Sequence, residues 1–319
     1  MAFPFITAEQ AAELVNNGDN VGFSGFTAAG TPKFVAPAIA AKAKKEHEAG
    51  RPFKINVFTG ASTNDYIDGE LARADAVNFR TPYQSCKDTR ARLNAHEINY
   101  CDVHLSQLAQ NLRYGFFGKM DMVVIEAGDV TDDGEILLGP GVGNIPSLAH
   151  LADKIVIELN EHIPAEIRGL HDIYMPLDPP YRREIPIYKP SDRIGSPVLK
   201  VDPSKIVGII KTYNTDKVHG FSPIDETTMR IGANVCKFLI GELRAGRERI
   251  PAVAVGRGQH RQRCAPRLRG KPGNPSIRYV HRSDSRRRAR PYGERQMSFQ
   301  QHMLAHILRR DDGPLLQKR

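Results

Sequence analysis

The sequence predicts an α/β fold: a mainly parallel sheet with flanking helices over residues 1–250, then a largely irregular tail over residues 251–319. Three observations predict it. Short β-branched runs recur through the first part, among them "NVGFSGF", "KINVF", "MVVIE", "DKIVIEL" and "KIVGII". Helical patterns lie between several of them, as the crossovers of a parallel sheet require. The charge balance then changes: residues 251–319 hold 17 Lys and Arg against 4 Asp and Glu, leaving 28 against 32 in residues 1–250.

In "ITAEQAAELVNNGDN", Thr7 is placed to cap a short helix, Glu9 favours its first turn, and the Asn/Gly cluster ends it. "NVGFSGF" reads as a buried strand and "TAAGTPK" as the loop after it. Pro32 is expected in the first turn of the next helix, which runs through "KFVAPAIAAKAKKEHEAG" and stops at Gly50. "FKINVFTGAST" is a strand ending in small residues. Met122 to Glu126 forms a strong strand, with a turn at "TDDG". "ADKIVIELN" and "SKIVGIIKT" are two more strands, and "PLDPPYRREIPIYKPSDRIGSP" is a Pro-rich surface excursion. "DETTMRIGANVCKFLIGELRAG" is an amphipathic helix.

Of the 319 residues, 40% are hydrophobic, enough for a sizeable core. Cys86, Cys101, Cys236 and Cys264 lie far apart, without the spacing of a zinc site or a disulfide framework. A reduced, cytoplasmic setting is therefore expected. "MAFPFITAEQ" lacks a basic stretch followed by an apolar run, and no run approaches the roughly 20 apolar residues of a membrane span.

Three small-residue loops are candidate ligand sites: "SGFTAAGTPK", "FTGAST" and "GPGVGN". Loops that leave parallel strands face the open end of a sheet, where backbone N–H groups and helix N-termini meet ligands. The first is neither GxGxxG nor a P-loop, because Thr31-Pro32-Lys33 follows Gly30. In the second, Gly60, Ala61 and Ser62 would let a ligand come close to the backbone; a sharp turn is the plainer alternative. Glu126, Glu158 and Glu161 lie near strand ends, as a catalytic base or as solvated or helix-capping groups. His104 and His171 have no metal partner at ligand spacing and are read as structural. Lys217 either meets an anionic substrate or is a surface lysine. The arginine-rich "SDSRRRARPYGER" suits nucleic acid as a rival partner, but no nucleic-acid-binding fold signature surrounds it.

Taken together, "VGFSGFTAAGTPKFVAPAIA", "TGASTNDYIDGELARADAVNFRTPYQ", "FGKMDMVVIEAGDVTDDGEI", "VGNIPSLAHLADKIVIELNEHIP" and "GLHDIYMP" resemble the N-terminal half of the acetyl-CoA hydrolase / succinyl-CoA:acetate CoA-transferase family, the class I CoA-transferases. The resemblance implies two similar α/β domains with the active site between them. It also implies transfer of coenzyme A, a substrate rather than a cofactor, between acetyl- or succinyl-CoA and a short carboxylate such as acetate. A glutamate carboxylate attacks the thioester, an acyl-glutamyl anhydride and then a glutamyl-CoA thioester form, and water in place of the acceptor gives hydrolysis. Self-association is a family habit. On the same resemblance Gly25, Phe26, Thr27 and Gly30 line the cleft and Lys217 faces a carboxylate.

The family places its nucleophile and a second glycine motif in the second half, in stretches like "YTEVIQD" and "LPLQSGVGN". Neither occurs; "PAVAVGRGQHRQRCA" and "YVHRSDS" stand there instead. Permitted codons for Pro251 to Ala265, read one nucleotide downstream, yield LPLQSGVGNIANAVL. The same shift over Tyr279 to Ser285 yields MYTEVI, with Arg282 overlapping the glutamate codon. The tail is accordingly read as an out-of-frame remnant of the second domain. A guanidinium cannot attack a thioester, so this chain is expected to be inactive in the full reaction.

Overall fold

The computed structural model describes residues 3–61, 64–178, 180–216 and 223–245. The chain divides into two compact units, Met1–His219 and Gly220–Arg319. The expectations for the tail, including Arg282, and for Lys217 fall outside the described residues.

The first unit opens with α1 (Ala8–Glu13), where Thr7 and Gln10 form a reciprocal capping box. β1 (Asn20–Phe23) leads into α2 (Val35–Glu48), which ends at Gly50 with φ 71°. β2 (Ile55–Phe58) is followed by a π-helical turn at Asp65–Gly69 that runs into α3 (Glu70–Arg73). Next come β3 (Val77–Thr81), α4 (Lys87–Asn94), β4 (Asn99–Tyr100) and α5 (Leu105–Arg113). β5 (Met120–Val130) and β6 (Glu135–Leu138) form a hairpin around the turn expected at "TDDG", with Gly134 at φ 79°. α6 (Ile145–Leu151), β7 (Ala152–Asn160), β8 (Leu199–Lys200) and β9 (Ile206–Thr212) complete the sheet.

Among the described residues, seven strands lie parallel in the order β4-β3-β2-β1-β5-β7-β9, and β6 and β8 add antiparallel pairs beyond the middle of β5. Both faces are buried. Along β5, Met122 and Val124 join the core under α1 and α2, whereas Val123 and Ile125 join the core under α5 and α6. That is why its sequence reads as a continuous apolar run rather than an alternation. The excursion between β7 and β8 is largely irregular, with Tyr181, Ile185, Ile187 and Tyr188 exposed.

At the amino ends of the parallel strands the side chains of Asn20, Asn56, Asn78 and Asn99 run in a row. Asn56 Nδ2 donates to Asn20 Oδ1 at 2.8 Å, Asn78 Nδ2 to Asn56 Oδ1 at 2.8 Å, and Asn99 Nδ2 to the Asn78 carbonyl at 3.2 Å. Asn20 Nδ2 continues the row to the carbonyls of Phe117 and Lys119.

In the second unit, α7 (Glu226–Arg244) matches the expected amphipathic helix, and the Asp225 carboxylate accepts the Thr228 N–H at 2.7 Å at its start. Among the described residues no helix is long and apolar enough to cross a membrane.

Candidate functional site

The carboxyl ends of the parallel strands carry the site. Strand order reverses between β1 and β5: successive crossovers run from β1 toward β4 on one side, and β5, β7 and β9 lie on the other. Such a reversal opens a crevice at the strand ends because neighbouring loops leave in opposite directions. The three small-residue loops meet here. The Thr27 N–H donates to the Ala61 carbonyl at 2.9 Å, joining the first loop to the second. A Cβ at Gly60 would lie 3.2 Å from the Asn144 nitrogen, and one at Gly141 would lie 2.9 Å from Phe26 Cβ. The loops pack backbone on backbone, which accounts for their small residues.

Gly25, Phe26, Thr27 and Gly30 all lie on the first of these loops. A tight turn is closed by reciprocal bonds between Phe26 and Ala29, at 2.8 and 3.0 Å. Gly25, Thr27 and Gly30 take φ values of 121°, 51° and 66°, a conformation a threonine adopts at some cost. Phe26 is 53% exposed at the tip. His171 sits behind the third loop, its ring nitrogen 2.8 Å from the Gly139 carbonyl, in agreement with a structural role.

Beneath the loops lies a charged cluster assembled from residues far apart in the sequence. The Lys33 ammonium contacts the Glu126 carboxylate, lies 2.9 Å from Asp216 Oδ1 and donates to the Thr31 carbonyl at 2.8 Å. Asn160 Nδ2 donates to Glu126 Oε1 at 2.9 Å and to the Asn214 carbonyl at 2.8 Å. Asp216 Oδ2 accepts the Gly30 N–H at 3.1 Å, and Ser24 Oγ, which accepts the Glu126 N–H at 2.9 Å, donates to the Gly30 carbonyl at 2.9 Å. Gly30 is therefore held at both its polar groups by the cluster below it.

Glu126 and Glu158 are register partners on β5 and β7. Two like charges so placed need separate partners. Glu158 takes the start of α2, accepting the N–H groups of Lys33 at 2.6 Å, Phe34 at 3.0 Å and Val35 at 2.8 Å. Of the roles weighed for these carboxylates, this is helix capping. It also explains why α2 begins later than Pro32. The backbone from Lys33 to Val35 is turned toward a carboxylate, and Pro37 becomes the first-turn proline, where its missing N–H costs nothing. Burial pushes the Glu158 carboxyl up, against the three N–H donors. Burial also pushes Glu126 up, to about 7; Lys33 opposes this and Asp216 adds to it. For Lys33, burial is outweighed by Glu126 and Asp216, and its affinity for a proton rises. Glu161 stays at the surface, 3.8 Å from Lys211.

A second buried pair lies on the β3 side, beside the second loop. Arg80 Nε donates to Asp68 Oδ1 at 2.7 Å and Asp68 Oδ2 accepts the Asn64 N–H at 3.1 Å. Asn64 in turn caps the π-helical turn after the second loop.

A family model for the acetyl-CoA hydrolase/transferase N-terminal domain matches residues 4–211. The chain is 40% identical over 242 residues to a propanoyl-CoA:succinate CoA transferase of Escherichia coli, a match covering 76% of this chain and 49% of the relative. It is 37% identical over 242 residues to a succinyl-CoA:acetate CoA-transferase of Clostridium kluyveri, covering 76% and 44%. To an acetyl-CoA hydrolase of Yarrowia lipolytica it is 38% identical over 250 residues, covering 76% and 48%. The chain thus spans about half the length of the curated relatives it matches. In fold it is similar to RipA from Yersinia pestis, with a TM-score of 0.51 at 17% identity, over 75% of this chain and 48% of that one.

Proposed function

The chain belongs to the acetyl-CoA hydrolase/transferase family, and from that premise we propose that its first unit is the substrate-facing half of an acyl-CoA:carboxylate CoA-transferase or acyl-CoA hydrolase. The substrates are acetyl- or succinyl-CoA with acetate or another short carboxylate. One observation carries this reading: three loops, represented by residues 24–33, 59–61 and 139–144, pack backbone on backbone at the reversal point of the sheet. Backbone dipoles gathered there suit a thioester oxygen or a carboxylate, both of which accept hydrogen bonds. Phe26, exposed at the tip, offers an apolar face to the acyl chain or to the pantetheine arm of CoA.

The chemical cycle needs a carboxylate nucleophile, and Arg282 overlaps its expected codon. On this reading the chain binds acyl-CoA without carrying the acyl group through an anhydride. Titration calorimetry of the full chain with acetyl-CoA, run beside a thioester-cleavage assay, tests both parts. Saturable binding without turnover is expected. Absence of binding removes the site, and turnover at the rate of an intact relative removes the inactivity. Sequencing the gene around the codon for Ile250 tests the shifted frame directly.

A further inference from the structure

Glu126 is buried on a central strand, 1% exposed, and its Oε2 has no hydrogen-bond partner among the described residues. Its other oxygen accepts from Asn160 and contacts Lys33. The same ammonium serves Asp216. With both carboxylates ionised, two buried negative charges face the one Lys33 ammonium among the described residues. That arrangement is costly where no water screens it. A proton on Glu126 removes the excess charge and leaves a matched Lys33–Asp216 pair.

The two carboxylates are not equally free to move. Glu126 is fixed within β5, in register with Glu158 on β7 and with its N–H held by Ser24 Oγ. Asp216 lies beyond the end of β9 in irregular backbone, its side chain 5% exposed. When the excess charge returns, Asp216 is the group that can reach water. It also holds the Gly30 N–H. We propose that Glu126 is a proton-operated latch: neutral, it keeps Asp216 fastened to Lys33 and to the glycine loop; ionised, it drives Asp216 off and loosens that loop.

The groups facing Glu126 agree with this. From the first loop come Lys33 and the Ser24 hydroxyl, which accepts the Glu126 N–H, from β7 the neutral Asn160, and from the segment after β9 Asp216. Glu158, its register partner, is occupied by the N–H groups at the start of α2. Lys217, next in sequence, lies outside the described residues. Burial first, opposed by Lys33 and reinforced by Asp216, places the Glu126 transition at about 7.

Hydrogen exchange of the full chain, read at the Gly30 amide at about pH 6 and pH 8 and corrected for intrinsic exchange, tests the latch. In the native chain protection falls about tenfold at the higher pH. In Glu126→Gln it is the same at both. Constant protection in the native chain, or a retained fall in Glu126→Gln, overturns the proposal. Should Glu126→Gln fail to fold, Asp216→Ala serves instead: low protection at both pH values is expected, and a native-like fall refutes the latch. No acyl-CoA is needed, so this test and the acetyl-CoA titration fail separately.

Discussion

Glu158 and Val35 are joined across the sheet: the Val35 N–H at the start of α2 lies 2.8 Å from Glu158 Oε1 on β7, although β5 separates β7 from β1. The helix that follows the first strand is thus pinned by a strand two places away. This fixes the height of α2 above the sheet, and with it the length of loop left to form the crevice.

Replacing Glu158 by Ala strands three backbone donors in a dry interior. The expected loss is about 3–5 kcal/mol of unfolding free energy. Glu158→Gln keeps one acceptor oxygen and should lose roughly half as much. Urea denaturation of the two variants beside the native chain reads the difference.

Glu126 gives the fold a pH dependence with a definite sign. Its folded-state carboxyl is raised from 4.5 to about 7, so the native state holds the extra proton between these values. Stability is full below about 4.5, declines as pH rises toward 7, and is level above it. The span is on the order of 3 kcal/mol. Glu126→Gln, measured by urea midpoints at acid and neutral pH, should flatten this slope; an unchanged slope assigns it to another group.

Arg80 and Asp68 are each 1% exposed in their side chains, so removing one partner leaves the other charge without compensation. Arg80→Met is expected to cost about 3–5 kcal/mol, and the double variant with Asp68→Asn less than the sum of the single changes. A double-mutant cycle by chemical denaturation measures the coupling. Additive costs would mean that the pair acts only through packing.

Gly141 tests the contact between loops. An added methyl would lie 2.9 Å from Phe26 Cβ and 3.1 Å from the Phe26 nitrogen, so the tip of the glycine loop must shift. Gly141→Ala is expected to lose about 1–2 kcal/mol of stability and to weaken acetyl-CoA binding in calorimetry. Native-like affinity would separate the Phe26 loop from the ligand.

What the sequence made legible was local. The β-branched runs, the Thr7 cap, the turn before Gly134 and the three small-residue loops are each written within a few neighbouring residues. β3 escaped notice because it carries a buried Arg80 whose partner lies 12 positions back. α4 escaped because "KDTRARLN" is polar nearly all round and buries only Thr89. The cluster under the loops was legible in part. Glu126 is legible as a carboxylate near a strand end, but Lys33 is 93 positions from it and Gly30 is 186 from Asp216. No periodicity spans such distances; only the reversal of strand order brings those residues together.

The asparagine row at the opposite edge bears on how the chain finds its alignment. Where both faces of a sheet are oily, a strand displaced by one position still buries comparable side chains, so hydrophobicity discriminates poorly between neighbouring settings. Asn20, Asn56, Asn78 and Asn99 act as notches: displacing any one of them parts an amide from its mate. The edge farthest from the crevice thereby sets where each strand stops, and so how far each loop reaches over the other end.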